Sequence, residues 1–96
     1  MTYELEFLEQ ALKEWHKLPK AVREQFKKKL AQRLTNPKAP KDKLSTLKDC
    51  YKIKLRSIGY RLVYQVFDDR VVVQVVAVGK RDKSAVYKAA TGRARN

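Results

Sequence analysis

The residues with chemical potential are cations. Lys52, Lys54 and Arg56 alternate along one short segment, Arg61 comes two residues after a glycine, and Arg81 and Tyr87 come later. A lysine crowded by other cations has its charged form disfavoured, so its pKa falls toward the range where it can take a proton. Arginine keeps its charge and presents a planar fork of N–H donors that suits the equatorial oxygens of a pentacovalent phosphate. An RNA strand brings its own nucleophile, the 2′-OH. Such a set could supply a base for that hydroxyl, cations for the phosphate and an acid for the leaving oxygen, with no metal. Tyr87 fits two roles equally, a group that stacks on a base or orients a hydroxyl and an aromatic that packs a helix. Alternating Lys and Arg also occur on solvated strand faces, where they discourage edge-to-edge pairing. The pattern alone favours neither reading.

Register decides whether these cations share a surface. Residues 51–57 and 60–67 alternate, and residues 71–78 are almost continuous valine, as expected of a central strand. Taking Ile58-Gly59 as a two-residue turn pairs Arg56 with Arg61, Leu55 with Leu62, Lys54 with Val63 and Lys52 with Gln65. One face then holds Ile53, Leu55, Leu62, Tyr64 and Val66, and the other holds Lys52, Lys54, Arg56, Arg61 and Gln65. A three-residue turn without a bulge would put Arg61 among the leucines. A two-residue turn at Asp68-Asp69 adds Val71, Val73, Val75 and Ala77 to the apolar face. It adds Val72, Gln74 and Val76 to the basic one, with Arg61 opposite Val76 and Arg81 just past the strand end.

The rest of the chain must position this face. Residues 2–7 alternate as a half-buried strand. Leu8, Leu12 and Trp15, with Ala11 and Leu18, form a helical stripe that ends at Pro19. Val22, Phe26, Leu30 and Leu34 recur every four residues on a second helix over 20–34, with Lys27-Lys28-Lys29 toward water, and Asn36-Pro37 ends it. The short link makes the two helices a hairpin. Residues 37–50 form a loop with Lys38, Lys41, Lys43 and Lys48, pinned by Leu44 and Leu47. A short helix over 85–90 and a polar tail close the chain. The order β-α-α-β-β-β-α predicts an α+β fold, a mainly antiparallel four-stranded sheet with the two N-terminal helices on one face and a short C-terminal helix.

Composition agrees with a polyanion partner. The 96 residues carry a formal net charge of +13, which self-repulsion makes costly unless a ligand neutralises it. The charge is uneven, 8 Lys/Arg against 5 Asp/Glu over residues 1–34 and 15 against 5 over 35–96. With 44% apolar residues the chain has material for one core, and its length predicts a single domain over 1–96. Cys50 and His16, the single cysteine and histidine, cannot build a disulfide or a structural zinc site. No apolar run is long enough to span a bilayer, and the acidic first residues lack the pattern of a signal peptide. A cytoplasmic protein is expected.

Residues 50–56 (CYKIKLR), 59–64 (GYRLVY), 78–81 (VGKR) and Tyr87 resemble the RelE toxins of bacterial RelBE toxin–antitoxin systems. The resemblance extends to residues 11–15 (ALKEW) and 22–25 (VREQ). It implies a RelE/ParE-like, microbial-ribonuclease-like fold and a ribosome-dependent endonuclease that cuts mRNA in the A site, leaving a 2′,3′-cyclic phosphate. Carried over by motif, Lys52 and Lys54 become the acid–base lysines, with Lys54 as the 2′-OH base. Arg61 and Arg81 stabilise the scissile phosphate, Arg81 also helping to protonate the leaving oxygen, and Tyr87 stacks on the substrate nucleotide. Arg56 acts by electrostatics, and Lys27, Lys28, Lys43 and Lys80 contact RNA. The resemblance implies no metal or other cofactor. It implies a RelB-like antitoxin that covers the basic face or displaces the terminal helix, and operator DNA bound through that antitoxin. Two other readings remain at this point, a nucleic-acid-binding corepressor without catalysis and a toxin of the same fold with a protein target. Neither needs the Lys/Lys/Arg/Arg/Tyr set.

Overall fold

The computed structural model describes residues 2–82 and 85–95. Strand β1 (Glu4–Phe7) leads to helices α1 (Glu9–His16) and α2 (Lys20–Thr35). A 3-10 turn at Pro40–Asp42 precedes strands β2 (Cys50–Leu55), β3 (Tyr60–Phe67) and β4 (Val72–Lys80), and helix α3 (Ala85–Arg93) ends the order. This is the expected succession. The sheet runs β1-β4-β3-β2 and is mixed: β2, β3 and β4 form an antiparallel meander, while β1 lies parallel to β4.

The sheet is covered on both sides. On one face Ala11, Trp15 and Leu18 join Val22, Phe26 and Leu30 of α2 against Ile53, Leu62, Tyr64, Val73 and Val75. An aromatic chain runs through this core, with Trp15 tilted 5.2 Å from Phe7 and 6.2 Å from Phe26. Leu12, expected in the buried stripe, is 39% exposed. The two-turn helix α1 buries only the Ala11/Trp15 face, and Leu12 lies about 100° round from Ala11. On the other face α3 sets Val86 and Ala90 on Cys50, Val63, Val76 and Ala77, joined by Leu47. The two N-terminal helices therefore share one side, as expected, and α3 takes the other.

Turn lengths also differ from expectation. Strand β2 pairs with β3 as Lys52↔Val63, Lys54↔Arg61 and Leu55↔Tyr60, so the connection is the four-residue turn 56–59. Arg56 sits in that turn and not opposite Arg61. The β3–β4 connection is residues 68–71, and the register slips at Val63/Tyr64, where the pairs step from Tyr64↔Val75 to Val63↔Ala77. Val76 is the extra residue of this bulge. Val76 and Ala77 consequently both join the core under α3, and Val78 returns to the first core. Arg61 lies opposite Gly79.

The loop before β2 is tied down by polar contacts. Arg33 donates to Tyr64 Oη at 2.9 Å and to the Lys52 carbonyl at 3.3 Å, and it pairs with Asp42. Tyr64 in turn donates to the Pro37 carbonyl at 2.5 Å. Leu44 and Leu47 pin the loop as expected, to the core under α3. Cys50 is fully buried, and that burial, aided by Asp49, pushes its thiol up to about 11. It should resist thiol reagents at neutral pH until the protein unfolds.

Val71 closes the β3–β4 turn at φ 54°, a left-handed conformation that a β-branched side chain adopts only under strain. Its carbonyl accepts the Glu4 N–H at 2.9 Å, which starts the β1–β4 ladder. Val71→Gly should therefore stabilise the fold by about 1 kcal/mol. The check is a higher denaturant midpoint with an unchanged m-value.

Candidate active site

The turn at 56–59 builds the site. Gly59, at φ 72°, donates its N–H back to the Leu55 carbonyl at 2.8 Å. Its own carbonyl accepts the Arg81 N–H at 2.7 Å. That bond carries the β3–β4 ladder one step past Tyr60↔Lys80 and brings Arg81 beside the turn. The result is an open cleft of about 380 Å³ bordered by Lys54, Arg56, Tyr60, Arg61 and Arg81. Lys52 lies on the same strand face as Lys54, half-buried. Among the described residues no carboxylate lies within ion-pair distance of Lys52, Lys54, Arg56, Arg61 or Arg81.

The electrostatic consequence falls on Lys54. The adjacent Lys52 first, then partial desolvation, then Arg61 and Arg56 hold its ammonium below the ordinary lysine range. Arg61 stands directly across from Lys54, and its guanidinium lies 5.1 Å from the centre of the Tyr87 ring. The Tyr87 hydroxyl and Arg61 Nε are buried without a hydrogen-bond partner among the described residues. Burial pushes the Tyr87 phenol up, with Arg61 opposing it, so the hydroxyl remains a donor.

The structure thus brings together Lys52, Lys54, Arg61, Arg81 and Tyr87, with Arg56 on the rim rather than on the strand face. The face is not uniformly basic, since Val63, Val76 and Ala77 lie under α3 and only the end near the 56–59 turn carries cations. The other cations lie elsewhere. Lys80 is exposed at the end of β4 and borders a separate groove with Lys17, Leu18 and Tyr60. Lys27 and Lys28 are exposed on α2, on the opposite side of the sheet from α3, with Lys27 4.0 Å from Glu24. Lys43 is exposed beside its backbone bridge to Tyr51. Sequence reasoning missed the Gly59 carbonyl that seats Arg81. It also missed Arg33, which holds the backbone of Lys52. A glycine at a tight turn hints at the first, but nothing local to Arg33 points to the second.

Residues 5–85 match the model of the ParE toxin of the type II toxin–antitoxin system parDE. The mRNA interferase toxin RelE of Escherichia coli K12 is 59% identical over 97% of this chain and 98% of its own length. The chain belongs to the RelE/ParE family of type II toxins. Solved members of the family share the fold. A doubly arginine-substituted E. coli RelE in the free state superposes with a TM-score of 0.89 at 58% identity, covering 96% of this chain and 97% of that one. The toxin in the intact E. coli RelBE toxin–antitoxin complex gives 0.81 at 59% identity, covering 84% and 99%. The family resemblance carried by the sequence motifs is borne out.

If Lys52 is the main cause of the Lys54 shift, Lys52→Ala should return the Lys54 ammonium toward its ordinary pKa. Carbon-detected NMR titration of the lysine side chains should show that upward move, and a smaller one for Arg56→Ala.

Proposed function

We propose that this toxin is an endoribonuclease that enters the ribosomal A site and cuts the mRNA there, so stopping translation, with residues 1–96 acting as one domain. The observation that carries the reading is the cleft in which Lys54, its pKa lowered, stands among Arg56, Arg61 and Arg81 with no carboxylate paired to them among the described residues. The relative at 59% identity is named an mRNA interferase, which supports the same reaction class.

In this reading Lys54 takes the 2′-OH proton as the 2′-oxygen attacks the adjacent phosphorus. Lys52 holds the Lys54 pKa down and shares the proton traffic. Arg61 and Arg81 bind the equatorial oxygens as charge builds on them. The bond from phosphorus to the 5′-oxygen then breaks, and Arg81 directs a proton to that oxygen. The products are a 2′,3′-cyclic phosphate and a free 5′-hydroxyl, and no step calls on a metal. Tyr87 stacks on the substrate nucleotide and orients it. Arg56, Lys80, Lys27, Lys28 and Lys43 supply a positive field and contacts for ribosomal RNA, scattered over several surfaces as a docking role requires. The protein works in the cytoplasm, where its substrate is. A RelB-like antitoxin neutralises it, and the pair represses its own operator through the antitoxin. The intact RelBE complex among its structural relatives supports that partner class.

Cleavage on programmed ribosomes tests the reading. Lys54→Ala and Arg81→Ala should each lower the single-turnover rate by about 10²-fold or more. A 2′-deoxy nucleotide at the cut position should abolish cleavage altogether. Salt-sensitive binding without new RNA ends would instead indicate a non-catalytic binding module. No effect on RNA or ribosomes would leave a protein target.

A further inference from the structure

Strand β1 stops short of its neighbour. Its last pair with β4 is Phe7↔Val75, and Leu8 donates to the Val75 carbonyl at 3.0 Å. Beyond that point the β4 edge is met by side chains. Glu14 of α1 accepts the Val78 N–H at 3.2 Å, and Arg93 of α3 donates to the Val76 carbonyl at 3.1 Å. The two side chains also pair with each other, Arg93 Nη1 and Nη2 donating to the two carboxylate oxygens at 2.9 and 3.0 Å. This clip reaches round the sheet edge and joins helices that lie on opposite faces.

A second fastener acts two residues on. Gln65, buried in β3, accepts the Arg95 N–H at 3.0 Å and donates to the Arg95 carbonyl at 2.5 Å and the Lys48 carbonyl at 3.0 Å. A buried amide engaged this fully holds the tail in one place.

Helix α3 depends on these fasteners. It has nine residues, too few for a stable isolated helix. It fully buries only Val86 and Ala90, with Tyr87 and Ala89 partly buried beside them. At the Tyr87–Arg61 contact the buried hydroxyl and Nε have no partner among the described residues, so no hydrogen bond there fixes the ring. The seat of the ring follows the seat of the helix.

We propose that Glu14 and Gln65 are positioning residues, which hold α3 through Arg93 and the Arg95 backbone and thereby set Tyr87 over Arg61. The catalytic consequence rests on the ribonuclease reading above; the positioning itself does not. Neither residue touches the cleft, so their loss should act on the turnover step and spare ribosome binding.

The test compares the purified full chain with Glu14→Ala, the milder Glu14→Gln, Arg93→Ala, Gln65→Leu and the Glu14→Ala/Arg93→Ala double variant. Amide exchange over α3 should quicken at least about 10-fold while β3 exchange holds, and the Tyr87 ring signals should shift. The single-turnover cleavage rate at saturating programmed ribosomes should fall roughly 10- to 100-fold. The half-saturating ribosome concentration should stay within about 2-fold, since uniform binding is untouched. The double variant should lose clearly less than the sum of its parents, because both remove the same ion pair and each adds only one backbone bond of its own. Unchanged α3 exchange, exchange rising equally across the sheet, or additive losses in the double variant would each overturn the proposal. If wild type cuts no RNA while α3 exchange and Tyr87 signals respond as stated, the ribonuclease reading fails and the positioning stands.

Discussion

Repulsion between cations fixed on neighbouring strands is the constraint the molecule is built around. Lys54 directly faces Arg61 across the β2–β3 ladder, with Lys52 beside it and Arg56 and Arg81 at the same cleft. Like charges in direct cross-strand pairs destabilise a sheet, and among the described residues no carboxylate relieves these. Two cores oppose that cost. The larger one packs α1 and α2 on one face, and the smaller one packs α3 on the very face that carries the cations. The repulsion also sets the chemistry, because it is what lowers the pKa of Lys54.

The strand parity of this region was legible and its turns were not. Lengthening the 56–59 turn by two residues moves each pairing by two, which keeps every side chain on its face. Lys52, Lys54 and Arg61 therefore fell together as expected, while Arg56 dropped out of the ladder. The same logic failed past the bulge. In a run of valines no polar residue marks which side faces water, so an extra residue at Val76 leaves no trace in the alternation. Gln74 lies before the bulge and reports only on that part of the strand.

The second core and its fasteners were the least visible. Cys50, Val63 and Val76 alternate with lysines and valines, a pattern that also fits a solvated face, and only the docked α3 turns them into an interior. Glu14 and Arg93 are 79 residues apart in sequence, and Gln65 and Arg95 are 30 apart. Polar pairings at such separations have no local signature. Family motifs could point to the cations of the cleft, because the motifs contain them, but the parts that hold them are spread over the chain.

The side chains along the outer edge of β4 have a bearing on self-association. A strand edge with free N–H and carbonyl groups is a template on which another chain can lay a strand of its own. Past Val75 two such groups, the Val78 N–H and the Val76 carbonyl, are occupied by a bidentate ion pair. A second molecule growing its sheet here would first have to separate Glu14 from Arg93 and desolvate both. The apolar run of β4 thus lies beside a charged guard, which lets so valine-rich a strand run on past the end of β1 without offering a bare edge to another chain.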